Sequence, residues 1–239
     1  KAKSDTRRLV VQRMFKQALR EQQTSMTQQP NIPARAYDDH TQLGASYMLA
    51  RRISQIFHPV LMNLASFLIV GFAALATRTT GLLWAGICIL AILIPPVVFY
   101  YVRLRQGAYS DEDISVREQR NELYLFSLVW AVLAIGGLVL LGVPRPFLAL
   151  ILAGVGLGLV NGLINLFWKI SAHASSVASV ATIALLYWRP MGVVLWIAAI
   201  TVGWARVRTR NHTVLQVLGG FTTATLIVVV AFTLIGQYA

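Results

Sequence analysis

Phe147-Leu-Ala-Leu-Ile-Leu-Ala-Gly-Val-Gly-Leu-Gly-Leu-Val-Asn-Gly-Leu-Ile-Asn-Leu-Phe167 carries no charged side chain. A helix needs about 20 consecutive apolar residues to cross the hydrocarbon core of a bilayer. This stretch has that length, and six others like it lie along the chain.

Working outward, the apolar segments fall at roughly 59–77, 82–102, 122–141, 147–167, 172–188, 190–205 and 213–236. Polar or turn-forming residues separate them: Arg78-Thr-Thr-Gly81, the stretch from Arg103 to Glu122, Gly142-Val-Pro144-Arg-Pro146, and Arg189-Pro190. The pattern predicts an all-α integral membrane protein, a helical bundle of six to seven transmembrane helices over residues 58–239. The fifth and sixth segments are short, about 16 residues or roughly 24 Å at the helical rise. Pro95-Pro96 should kink the second. Gly154, Gly158 and Gly162 recur every four residues, a spacing that lets a neighbouring helix come close. Asn161 and Asn165 suit hydrogen bonds between helices.

Composition agrees. The chain has 239 residues, is 56% hydrophobic and only 13% charged, against about 25% charged in an average soluble domain. Its net charge of +12 raises a nucleic-acid reading. The basic residues flank apolar segments instead of interleaving with aromatic ones, which excludes that partner. The single cysteine, Cys88, lies within a segment and has no partner in the chain with which to form a disulfide. The sequence opens at Lys1, which suggests a trimmed start, and the first 50 residues hold no apolar core of a cleavable signal.

With seven spans, the N-terminal region, the 103–121 loop, Lys169 and the 206–212 loop share one side of the membrane. Only Arg78, Arg145 and Arg189 fall on the other, which leaves 18 of the 21 Lys and Arg on the first. The positive-inside rule makes the first side cytoplasmic and places the C-terminus outside, in what is expected to be a prokaryotic cell membrane. Two spans separate each of the 103–121 loop, Ser171/His173 and Arg206/His212 from the next. All three therefore reach one face.

Residues 1–57 differ in kind. Within 7–22, Leu9, Val10, Val11, Met14, Phe15, Ala18 and Leu19 recur at roughly helical spacing among Arg7, Arg8, Arg13, Lys16 and Arg20. Such a basic amphipathic helix suits either an anionic lipid surface or a partner subunit. Residues 23–42 read as a linker. A second amphipathic stretch, Tyr47 to Phe57, leads into the first span.

The chemistry concentrates in two short blocks, Lys169-Ile-Ser171-Ala-His173 and Arg206-Val-Arg-Thr-Arg-Asn-His212. A histidine beside fixed cations and a hydroxyl suits an anionic ligand, phosphate above all. Arg208 and Arg210 read as positive-inside anchors. A histidine at a helix start can also serve only as a cap or meet lipid headgroups.

Ala205-Arg206-x5-His212-x3-Gln216, Ile170-Ser171-Ala172-His173 and Asp113-Ile-Ser-Val-Arg117-Glu-Gln-Arg120-Asn121 together resemble the type 2 phosphatidic acid phosphatase superfamily. These are membrane lipid phosphatases related to vanadium haloperoxidases. Their motifs run Ser-Arg-x5-His-x3-Asp, Pro-Ser-Gly-His and Lys-x6-Arg-Pro, and the resemblance spans roughly residues 100–225. It implies a metal-free and cofactor-free hydrolysis of a lipid-linked phosphate or diphosphate through a phosphohistidine. His212 would be the nucleophile and His173 the acid for the leaving oxygen. Arg206, Ser171, Arg120, Arg117 and Lys169 would hold the phosphate, and Gln216 would orient His212.

The chain departs from that pattern at named positions. Gln216 stands for the family aspartate, Asp113 for the lysine, Asn121 for the proline, and Ile170 and Ala172 flank the serine. These departures suit a second reading, a catalytically degenerate member of the fold serving as a structural or lipid-binding subunit among other membrane subunits. A third reading takes Asp111-Glu112-Asp113 as a divalent-ion loop of a prenyltransferase or transporter. Such enzymes use two separated acidic clusters, and this chain has one.

Overall fold

The computed structural model describes residues 44–236, and all their regular structure is helical. The expected helix at 7–22 and the linker at 23–42 lie outside the described residues. The order is α1 (Ala45–Ile56), α2 (Pro59–Ala73), α3 (Arg78–Cys88), a π-helical turn (Ile89–Leu93), α4 (Ile94–Arg105), a 3₁₀ turn (Arg117–Gln119), α5 (Arg120–Leu140), α6 (Arg145–Phe167), α7 (Ala172–Tyr187), α8 (Arg189–Arg208) and α9 (Val214–Leu234).

Local chemistry sets several of these starts. Pro59 opens α2, where its missing N–H is no loss, and His58 caps it by accepting the Val60 N–H through Nδ1 at 3.3 Å. Thr77 caps α3. Thr213 and Gln216 form a reciprocal capping box on α9. In a hydrocarbon solvent each satisfied terminus matters, since no water replaces a missing partner.

Five helices are long and apolar enough to cross a membrane: Arg78–Arg105, Arg117–Leu140, Arg145–Phe167, Arg189–Arg208 and Val214–Leu234. The α1–α2 pair, bent by 43°, makes a sixth candidate. The segment expected at 172–188 behaves differently. At 16 residues α7 is shorter than a span, and His173 to Ala184 are buried without interruption. It is the centre of the bundle, against α2, α8 and α9. Its Ala- and Ser-rich surface lets those neighbours close in. The sixth segment, expected to end near 205, runs 20 residues to Arg208. The Arg206 side chain is only 2% exposed, so the helix keeps an inward-facing residue past the end of its apolar stretch.

Around α7 the apolar core is built from Phe67, Val70, Phe147, Ile151, Val228 and Phe232. A smaller cluster joins Val177, Val180, Ala199 and Val202, with Ile53 of α1 and Phe57 just after it packed on it. Arg208 also reaches Ser46 at 2.9 Å. The compact unit therefore begins at Ala45. Leu83, Leu90, Leu133, Leu140, Val194 and Ile200 are exposed, the apolar exterior expected of a surface that meets lipid.

The expected break at Pro95-Pro96 takes the form of the π-helical turn just before it. Pro95 has no N–H to give the Ala91 carbonyl, and that orphaned oxygen accepts the Trp130 indole N–H of α5 at 2.7 Å. The glycine repeat of α6 does not bring a helix close. A Cβ on Gly154 or Gly158 would meet nothing within 4 Å. Both glycines border a cavity of about 290 Å³ between α2, α5, α6 and α7, and only Gly162 meets a neighbour, Tyr124 at 3.5 Å. Close approaches occur instead between Gly71 of α2 and Gly81 of α3, and at Gly220 of α9. A Cβ there would fall 2.9 Å from the Ser171 carbonyl oxygen.

Candidate functional site

The three sequence blocks meet at one end of the bundle. The 106–116 loop, the start of α7 and the α8–α9 turn contribute to a single buried cluster. Ser171, His173, Arg120, Arg206 and His212 are each at most 6% exposed.

The Arg206-x5-His212 spacing is explained by a chain reversal. α8 ends at Arg208, and Arg210 takes a left-handed φ of 58°. The backbone N–H groups of Asn211 and His212 then both bond to the Arg206 carbonyl at 3.2 Å. The turn folds His212 back beside the guanidinium six residues earlier.

Gln216 fixes the tautomer of His212. Its Oε1 accepts the backbone N–H of Thr213 at 3.1 Å and lies 3.2 Å from His212 Nδ1. A backbone N–H can only donate, so that amide atom is the oxygen, and Nδ1 must carry the proton. The Nε2 lone pair is left free. Burial, reinforced by the Arg206, Lys169 and Arg120 cations, pushes His212 down to about 3, while the Gln216 bond acts in the opposite direction. The ring is neutral at physiological pH. Gln216 thus serves twice, as helix cap and as orienting acceptor.

Ser171 is the N-cap of α7. Its Oγ accepts the Ala174 N–H at 3.3 Å, and its own N–H donates to the Gln216 carbonyl at 3.3 Å. The N-terminus of α7 therefore lies at the cluster, and the positive end of a helix stabilises negative charge. Gly220 makes this contact between α7 and α9 possible.

Arg120 sits in the cluster but is committed to backbone oxygens. Nε donates to Ile114 O at 2.7 Å, one terminal nitrogen to Ile170 O at 3.1 Å, and the other to Asp113 O at 3.4 Å. It clamps the first motif to the second and lends the site its charge. Arg117 does not join. It pairs with Glu118 at 2.7 Å and donates to the Leu166 carbonyl at 3.0 Å. Lys169 stays in electrostatic range. Burial, then Arg120 and Arg206, holds its ammonium below the usual lysine range, against the pull of Asp111 and Asp113.

Asp113 is the surprise of the site. Its Oδ2 accepts from Arg206 at 3.0 Å and from Asn211 Nδ2 at 2.9 Å, and its Oδ1 lies 3.7 Å from His173 Nε2. The residue that the resemblance sets against a lysine is therefore inside the cluster, where it brings a carboxylate. Asn211 and His58 were also missed in the sequence. His58 packs edge-on against His173 with ring centroids 5.7 Å apart, so three histidines converge. No spacing links His58 to His173. Only the cap at the α2 start, beside the α7 start, brings them together.

Asp111 has another use. Its carboxylate accepts from Asp113 N, Ser115 N and Ser115 Oγ at 2.9 to 3.2 Å, and so closes the loop turn. Among the described residues, no group of three or more His, Cys, Asp or Glu side chains could hold a metal ion. Asn161 links α6 to Ser175 of α7, and Thr223 of α9 links to Asn161. Asn165 reaches the Arg117 carbonyl and Asn121, both at 3.0 Å.

The fold is that of an all-α membrane protein with a cationic, histidine-bearing site at one end. The chain matches no protein-family model, no curated protein and no solved structure.

Proposed function

We propose that this protein is a phosphatase-like membrane protein that binds a lipid-linked phosphate or diphosphate and hydrolyses it through a phosphohistidine. The observation that carries the reading is His212, a buried neutral imidazole whose Nδ1 faces Gln216 and whose Nε2 lone pair is free beside Arg206.

In this reading Nε2 of His212 attacks phosphorus, and the bond from phosphorus to the leaving oxygen breaks. His173, protonated in the complex where the anionic substrate would offset the burial and cations that otherwise keep its ring neutral, gives that oxygen a proton, so the lipid leaves as an alcohol or, from a diphosphate, as the monophosphate. Water then attacks the phosphohistidine and gives a proton back to His173. The P–N bond breaks, releasing inorganic phosphate and restoring His212. Charge that develops on the phosphoryl oxygens is stabilised by Arg206, Lys169 and the α7 N-terminus in a water-poor site. The charge distribution of the loops supports a cytoplasmic site.

The test is phosphate release from a panel of lipid phosphates and isoprenyl diphosphates in detergent, with and without EDTA. EDTA-resistant release that is lost in His212→Ala, with the variant still folded, is the expected result. A well-folded protein that releases no phosphate from any of them overturns the reading. A specific observation favours a second reading, a non-catalytic lipid-binding or structural subunit. The carboxylate of Asp113 already neutralises Arg206, and such a subunit would bind the lipid phosphate without turnover.

A further inference from the structure

Arg206 is 2% exposed, and the two edges of its guanidinium differ. One terminal nitrogen is bonded to Asp113 Oδ2 at 3.0 Å. Nε is fully buried with no partner. Nearly every buried donor in a folded protein is satisfied, and a charged one left bare is costly. The carboxylate covers part of Arg206 and leaves a donor that a larger anion could reach.

The donors that hold Asp113 are those a phosphate group needs. Arg206 and Asn211 grip one oxygen, and the other faces His173 Nε2. A tetrahedral anion has more oxygens than a carboxylate and could take these donors together with Nε. The Asp113 side chain is 29% exposed, while Arg206 is closed in. The carboxylate therefore stands on the open side of the site.

The backbone holds it there. Asp111 bonds the Asp113 and Ser115 N–H groups. Ile114 takes a φ of 46°, a left-handed conformation that a β-branched residue adopts only under constraint. Its side chain is packed with Tyr100 and Tyr109, and its carbonyl is held by Arg120 Nε. Such strain gathers where a loop is held for a purpose.

We propose that Asp113 is an internal competitor for the phosphate subsite. Its carboxylate occupies the place of a phosphate on Arg206 and Asn211, and an incoming phosphate displaces it. This rests on the phosphate-site reading above. It makes the resting site self-neutralised and sets a threshold that only a multiply charged anion crosses.

The test measures binding to the full-length protein in detergent, with inorganic phosphate in one arm and phosphatidic acid in mixed micelles in the other. Asp113→Asn, and separately Asp113→Ala, should bind at least about tenfold more tightly than the unmodified chain. Arg206→Ala should abolish binding in either background. Tightening in either arm supports the proposal, and the arm in which it occurs names the source of the phosphate. Binding by the unmodified chain that is unchanged or weakened in both Asp113 variants overturns the proposal and leaves the phosphate-site reading standing. If no folded form binds phosphate in either arm, the site reading fails and the proposal with it.

Discussion

His212 owes its charge state to its neighbours. An imidazole in the unfolded chain takes up a proton near pH 6.5, while in the folded protein it does so only at about 3. Between those values the unfolded chain holds more protons than the folded one. This residue therefore costs stability as pH falls from about 6.5 toward 3. We expect the unmodified protein to lose more thermal stability between pH 7.5 and 5.5 than His212→Asn does, as read by the unfolding midpoint in detergent. Equal losses would mean that the ring is not held neutral. At this scale the sequence disclosed His212, His173, Ser171 and Arg206, because fixed spacing within a block survives folding. Asp113 was visible as a mismatch with lysine and as part of an acidic cluster, not as the partner of Arg206. Its carboxylate reaches Arg206 through a turn made by Asp111 and a left-handed Ile114, neither of which has a local pattern.

The helices were legible where their apolar runs were long and bounded by Pro, Gly or Arg. Their packing was not. The Gly154 and Gly158 repeat resembles a helix contact, yet it borders a cavity. Gly220, with no repeat to mark it, is where α9 meets α7. Replacing Gly220 by Ala puts a methyl group 2.9 Å from the Ser171 carbonyl and 3.1 Å from Ala174 Cβ. Overpacking of this kind costs about 1–3 kcal/mol. The expected outcome is a destabilised protein in which His212 and His173 are forced apart, so anion binding falls along with the unfolding midpoint. Gly158→Ala, which adds a methyl group to open space, should leave both nearly unchanged.

For the whole molecule, counting spans in the sequence put the three blocks on one face, and they do meet in one cluster. α7, short and buried, is nevertheless unlike the spans that this counting assumed. Sidedness can be read by labelling introduced cysteines in cells with a membrane-impermeant reagent. Cys88 is fully buried and should give little background. Gln106→Cys near the site and Leu141→Cys at the opposite end both lie at exposed positions. Labelling of 141 from outside, and of 106 only after permeabilisation, is expected from the distribution of basic residues. The reverse pattern would put the site on the outer face.

The contact between Trp130 and the Ala91 carbonyl reaches beyond the proline it repairs. Two further pairs stand in line with it between α4 and α5, Phe99 stacked on Phe126 at 4.0 Å and Arg103 bridged to Glu122 at 2.6 Å. Rungs at 122, 126 and 130 on one helix bind the two into a ladder that closes on itself. Elsewhere the pair leans on the bundle mainly through α6. Asp113 lies in the loop that joins these two helices, so the hairpin they form is also what carries the carboxylate that meets Arg206.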